Sequence, residues 1–182
     1  MKLVEAHYFI GIKIPASAAA ALEKARNSWK MDSHKRYTAP EDMHLTLVFI
    51  GNDPNGEITK ASEALKEIDH AAFELTINGV EVFGNPETPR IVYAATEESE
   101  ALQKLQAKVK EKVLEFQMNP DLKPFVPHIT LAAKWKGGPP VNQEWQLKPI
   151  TFTVDRFTIF RIAPGQTPKY IEEFTYHLKE GV

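Results

Sequence analysis

The pattern His-x-Thr-Leu occurs twice in this chain, as His44-Leu45-Thr46-Leu47 and His128-Ile129-Thr130-Leu131, each time after the same succession of segments. A strand-like run comes first (His7 to Ile14, then Arg90 to Ala95). A helical stretch follows (Ser17 to about Trp29, then about Glu98 to Phe116), and a polar or proline-containing loop leads to the motif strand. Tyr8 precedes His44 by 36 positions and Ile91 precedes His128 by 37. The stretches at about 7–51 and 90–135 therefore read as a duplicated unit within one bilobal domain covering residues 1–182. Copies that pack about a pseudo-twofold bring their motif strands face to face across a cleft.

Unbroken alternation along a strand puts His44, Thr46 and Val48 on one face and Leu45, Leu47 and Phe49 on the other. In the second copy it groups His128, Thr130, Ala132 and Lys134. Six histidines and twelve threonines in 182 residues give about 0.4 His-x-Thr triplets by chance, so two at strand starts exceed accident. Elsewhere, Ile58, Ala61, Leu65 and Ile68 fall at helical spacing. Phe73 to Phe83 reads as a hairpin turning at Asn78-Gly79, and Ile150–Val154, Arg156–Arg161 and Tyr170–Leu178 read as closing strands.

Composition narrows the function classes. The chain has no cysteine, which removes disulfides and thiolate metal sites, and no apolar run approaches the ~20 residues of a membrane span. The start lacks the apolar core of a signal peptide, so a cytosolic protein is expected. A net charge of −2 argues against a long nucleic-acid footprint and for local contact with a strand end or a few nucleotides. Lys30, His34, Lys35 and Arg36 form a basic cluster that suits either a solvated loop or a phosphate-steering patch.

Two imidazoles on opposite sides of a bound group suit an in-line displacement at phosphorus, one taking a proton from water while the other protonates the departing oxygen. The threonine hydroxyls can donate to the non-bridging oxygens, and Lys134 can add positive charge there. Zincin, phosphate-loop, dinucleotide and nucleophile-elbow patterns are absent from the sequence. No metal or other cofactor is expected. His34 and His70 read as surface residues, and His7 and His177 as structural ones.

The chain resembles the two-histidine (2H) phosphoesterases, specifically the RNA 2',3'-cyclic phosphodiesterases once named 2'-5' RNA ligases. The resemblance is carried by Phe9 ahead of Pro15, by Pro40 to Gly51, by Pro89 to Tyr93 and by Phe125 to Ala132. It implies an α+β fold with two antiparallel sheets flanking the cleft and helices outside. It also implies metal-independent opening of a 2',3'-cyclic phosphate at an RNA end to a 2'-phosphate. His44 is then the proton donor to the leaving 3' oxygen and His128 the proton acceptor from water. Thr46 and Thr130, joined by Lys134, hold the phosphoryl oxygens, and Phe9 is a candidate for the substrate cleft. The expected partner is RNA with a cyclic phosphate end or a short oligonucleotide, handled by a monomer without a membrane. Two alternatives are a non-catalytic binder of RNA ends or phosphorylated nucleotides, and a phosphodiesterase for 2'-5' linked or small cyclic nucleotides. Relatives often carry arginine at the position of Lys134 and a cation at that of Val48.

Overall fold

A computed structural model of the chain describes residues 5–141 and 145–180. Among these, nine strands and three α-helices follow in the order β1 (His7–Lys13), α1 (Ala16–Ser28), β2 (His34–Tyr37), β3 (His44–Asn52), α2 (Ile58–Ala64), β4 (Phe73–Asn85), β5 (Thr88–Thr96), α3 (Glu100–Val113), β6 (Ile129–Trp135), β7 (Ile150–Val154), β8 (Arg156–Ile162) and β9 (Tyr170–His177). Every pairing between these strands is antiparallel, in the order β7-β4-β5-β6-β3-β1-β8-β9, with β2 on the far end of β6. Each motif strand lies innermost in its half, next to the strand that precedes its helix: β3 beside β1, and β6 beside β5. The motif strands themselves meet at one residue pair, Leu45 opposite Ile129, and β2 of the first half extends the join along β6 through His34, Arg36 and Tyr37. The two expected antiparallel sheets are thus joined into one, by the rung between β3 and β6 and by β2 pairing along β6.

The helices follow from local chemistry. Alanines dominate α1, whose chain leaves the helix through Lys30 at φ 50°. Ser99 caps α3 by accepting a hydrogen bond from Leu102 N, and the stripe Leu102, Leu105, Val109 and Val113 is wholly buried. These side chains share one core with Leu22 of α1 and with Leu45, Leu47, Ile129 and Leu131. The helix-covered face of the sheet is therefore opposite the face bearing the motif histidines. No helix among the described residues is long and apolar enough to cross a membrane.

Three expectations change. Asn78-Gly79 does not turn a hairpin: β4 runs straight through as a 13-residue strand, and Gly79 (φ 113°) marks an irregularity in its pairing with β5. Phe73 to Ile77 pair with β7, while Ile77 and the residues from Val80 on pair with β5, so two partners hold the strand extended; the real turn is at Pro86-Glu87. His34, expected on the surface, is 3% exposed. It begins a short strand, donating from Nε2 to Pro89 O (2.7 Å) and accepting at Nδ1 from Ser33 Oγ (2.8 Å). Its polar neighbours are thus the hydrogen-bond partners that let an imidazole be buried.

The alternation expected in the motif strands also breaks, at the same place in both. Gly11 pairs with Thr46 and Ile10 with Val48, leaving Leu47 as an extra residue; Tyr93 pairs with Thr130 and Val92 with Ala132, leaving Leu131 extra. A bulge inserts one residue and reverses which side chains face out. Val48 is therefore buried and Phe49 is 43% exposed, the reverse of strict period two. The bulged carbonyls find donors on helices: Gln106 Nε2 of α3 bonds Leu47 O at 3.3 Å, and Arg26 of α1 bonds Leu131 O at 2.8 Å. Arg26 also donates to Thr38 O at 2.7 Å.

Candidate active site

With Leu45 opposite Ile129, an antiparallel register sets His44 beside Thr130 and Thr46 beside His128 on the outward face. All four line one cleft of about 310 Å³, together with Arg36, Asp42, Lys169 and Tyr170. Each imidazole is fixed in the same way. His44 Nδ1 lies 2.9 Å from Asp42 O, and His128 Nδ1 lies 2.7 Å from Val126 O. A carbonyl only accepts, so both Nδ1 atoms carry hydrogen and each neutral ring keeps the lone pair on Nε2.

The two rings differ in enclosure. His44 is packed between Phe9 (centroids 4.6 Å apart) and Tyr170 (4.7 Å), and burial lowers its pKa from the ordinary 6.5 to about 4. The Asp42 carbonyl opposes that fall, while the second histidine across the cleft adds to it. His128 rests against the edges of Phe83 (5.1 Å) and Tyr93 (5.5 Å), and the Tyr93 hydroxyl donates to Glu81 at 3.0 Å. Burial thus favours the neutral form of His44, and an anionic group held beside it favours the charged form.

Phe9, expected in the cleft, is 2% exposed and stacks on Phe160 behind His44, where it supports the ring. Lys134 is exposed at φ 63° and does not line the cleft. Its expected place beside His128 assumed an alternation that the Leu131 bulge interrupts. The cations lining the cleft are Arg36 of β2 and Lys169. The Lys169 backbone N–H bonds Asp42 Oδ1 at 2.9 Å, and burial followed by the charge of Arg36 holds its ammonium below the usual lysine range.

The 2'-5' RNA ligase superfamily matches residues 14–166, a span that includes both motifs. The chain belongs to this superfamily. It is 30% identical over 179 residues to the RNA 2',3'-cyclic phosphodiesterase of Bacillus subtilis, covering 96% of this chain and 98% of that protein. A protein of the same name from Geobacillus stearothermophilus is 31% identical over 90% of this chain, which spans only 54% of that longer protein. Among solved structures, E. coli LigT complexed with 3'-AMP has a TM-score of 0.78 at 21% identity, covering 97% of this chain and all of that one. The TT0787 protein of Thermus thermophilus has a TM-score of 0.75 at 24% identity, with the same coverage.

Of the residues lining the cleft, the sequence pointed to the four of the motifs but not to Lys169 or Tyr170, which enter from a loop and strand more than thirty positions beyond the second motif. No local pattern marks them. Arg36 did leave a trace, as part of the basic cluster ahead of the first motif. That cluster divides, with Arg36 in the cleft and His34 in the interior.

Proposed function

We propose that this chain hydrolyses the 2',3'-cyclic phosphate at an RNA end to a 2'-phosphate by two-histidine acid–base chemistry. The observation that carries this reading is the pair of imidazoles lining one cleft, each with its Nδ1–H held by a carbonyl two residues back and its Nε2 left for the reacting group. In the proposed step, His128 Nε2 takes a proton from water as the water oxygen bonds to phosphorus. The bond from phosphorus to the 3' oxygen breaks, and His44 delivers its proton to that oxygen, leaving a 3'-hydroxyl and a 2'-phosphate. His44 must be charged to act as the donor, and the phosphodiester anion supplies the field that charges it. Thr46 and Thr130 donate to the non-bridging oxygens. Arg36 and Lys169, rather than Lys134, add positive charge to the pentacoordinate state.

The names of the Bacillus and Geobacillus relatives support the substrate class. One chain supplies both motifs, so a monomer suffices, and the lack of cysteine suits a reducing cytosol. The test is incubation with an RNA of defined sequence bearing a 2',3'-cyclic end, followed by identification of the hydroxyl that keeps the phosphate. A 2'-phosphate is expected; a 3'-phosphate would reverse the regiochemistry, and an untouched cyclic end would leave a binding protein.

A further inference from the structure

A second cavity, of about 490 Å³, adjoins the catalytic cleft and shares Thr46 and His128 with it. Three phenylalanines line it: Phe49, 43% exposed because the Leu47 bulge turns it outward, with Phe83 and Phe125 half-buried. Three cations line it as well: Arg90 at the start of β5, Lys110 on α3 and Lys123. Among the described residues no carboxylate lies within 4.0 Å of Arg90 or Lys110, while Lys123 reaches Asp121, the one acidic residue lining the cavity, at 4.0 Å. Aromatic faces interleaved with unmatched cations suit single-stranded nucleic acid, whose bases stack and whose phosphates are charged. A solvent-facing phenylalanine beside a reactive cleft is also a surface that a partner can cover.

The chemistry of the substrate says which part would lie there. A 2',3'-cyclic phosphate ties up both lower oxygens of the terminal ribose, so the rest of the strand must leave through its 5' oxygen. We propose that this groove seats the nucleotide preceding the cyclic end, its base against Phe49 and Phe83 and its phosphate near Arg90 and Lys110. The inference rests on the phosphodiesterase reading of the cleft and adds to it a preference for oligonucleotides over mononucleotides. It also reconciles an RNA substrate with a chain whose net charge is −2, since the positive charge is concentrated along one short groove.

The test pairs binding with turnover. Fluorescence anisotropy of a labelled oligoribonucleotide ending in a 2'-phosphate is measured for the wild type, Phe49→Ala and the double variant Arg90→Ala/Lys110→Ala, all at solvent-accessible positions outside the catalytic set. Phe49→Ala is expected to weaken binding roughly tenfold, the size of one lost base stack. The double variant is expected to lower the slope of log affinity against log salt by about 0.7 for each phosphate released. In parallel, kcat/KM for a cyclic-ended trinucleotide should fall at least fivefold in each variant, while that for a 2',3'-cyclic mononucleotide changes less than twofold. Unchanged oligonucleotide affinity in both variants overturns the groove, as does an equal loss on mononucleotide and trinucleotide, which would mean a disturbed His128. If the wild type turns over neither substrate, the hydrolytic reading fails, while the anisotropy still decides the groove.

Discussion

Leu45 and Ile129 face each other across the one rung that joins the two motif strands, and both are fully buried. Each lies between the histidine and threonine of its own motif, so this apolar pair beneath the cleft sets the spacing of the polar quartet above it. Truncating Ile129 to alanine should cost about 2–5 kcal/mol in urea denaturation. It should also lower kcat more than Leu105→Ala, an equally buried truncation within α3. Equal effects on kcat would mean that the rung holds the fold together without setting the site.

His44→Ala and His128→Ala should each lower kcat by about 10²–10⁴ while leaving the circular dichroism spectrum unchanged. Steady-state kinetics on a cyclic-ended RNA checks this, and full activity in either variant would remove acid–base catalysis from the cleft. EDTA should leave the wild-type rate unchanged, since two imidazoles and two hydroxyls account for every proton in the scheme.

Burial of His44 also predicts how stability depends on pH. Its pKa falls from 6.5 to about 4 on folding, so between those values the unfolded chain binds a proton that the native protein withholds. The contribution of this group to stability is therefore complete above pH 6.5 and is lost progressively as pH falls toward 4. At about 1.4 kcal/mol per pH unit across that window, the loss by pH 4 is on the order of 3 kcal/mol. Denaturation curves from pH 7 to 4 should show the wild type losing about 3 kcal/mol more than His44→Gln. Added inorganic phosphate should raise the NMR titration midpoint of His44.

Arg26 is 7% exposed and serves the carbonyls of Thr38 and Leu131 together. Removing it takes the side-chain donor from Thr38 O and leaves Leu131 O with only the Thr38 backbone N–H at 3.0 Å, so Arg26→Ala should cost about 1–3 kcal/mol and Arg26→Lys less. Thermal denaturation gives the stability. Because Leu131 is the bulge directly after Thr130, kcat should fall as well, with KM for a cyclic mononucleotide nearly unchanged.

Much of this architecture is legible in the sequence because its signals are local. The alternation at His44 and His128, the alanines of α1 and the apolar stripe of α3 each depend on near neighbours in the chain, and their elements appear within a few residues of the expected bounds. What sequence could not supply depends on partners distant in the chain. Gly79 looks like a turn residue until β5 and β7 hold both flanks extended. Phe49 changes sides because a bulge is a property of two strands and not of one. His34 is buried because Pro89, 55 positions away, offers it a carbonyl. Lys169 and Tyr170 reach the cleft only because β9 folds back along β8, which lies beside β1.

The two bulge contacts cross between the halves. Arg26, before the first motif, serves the backbone of the second, and Gln106, before the second, serves the backbone of the first. Each repeat thus draws a side-chain donor for its motif strand from the other. A polypeptide severed between β5 and α3 would yield two fragments, each lacking the brace for its own reactive strand, and only their reassociation would restore both.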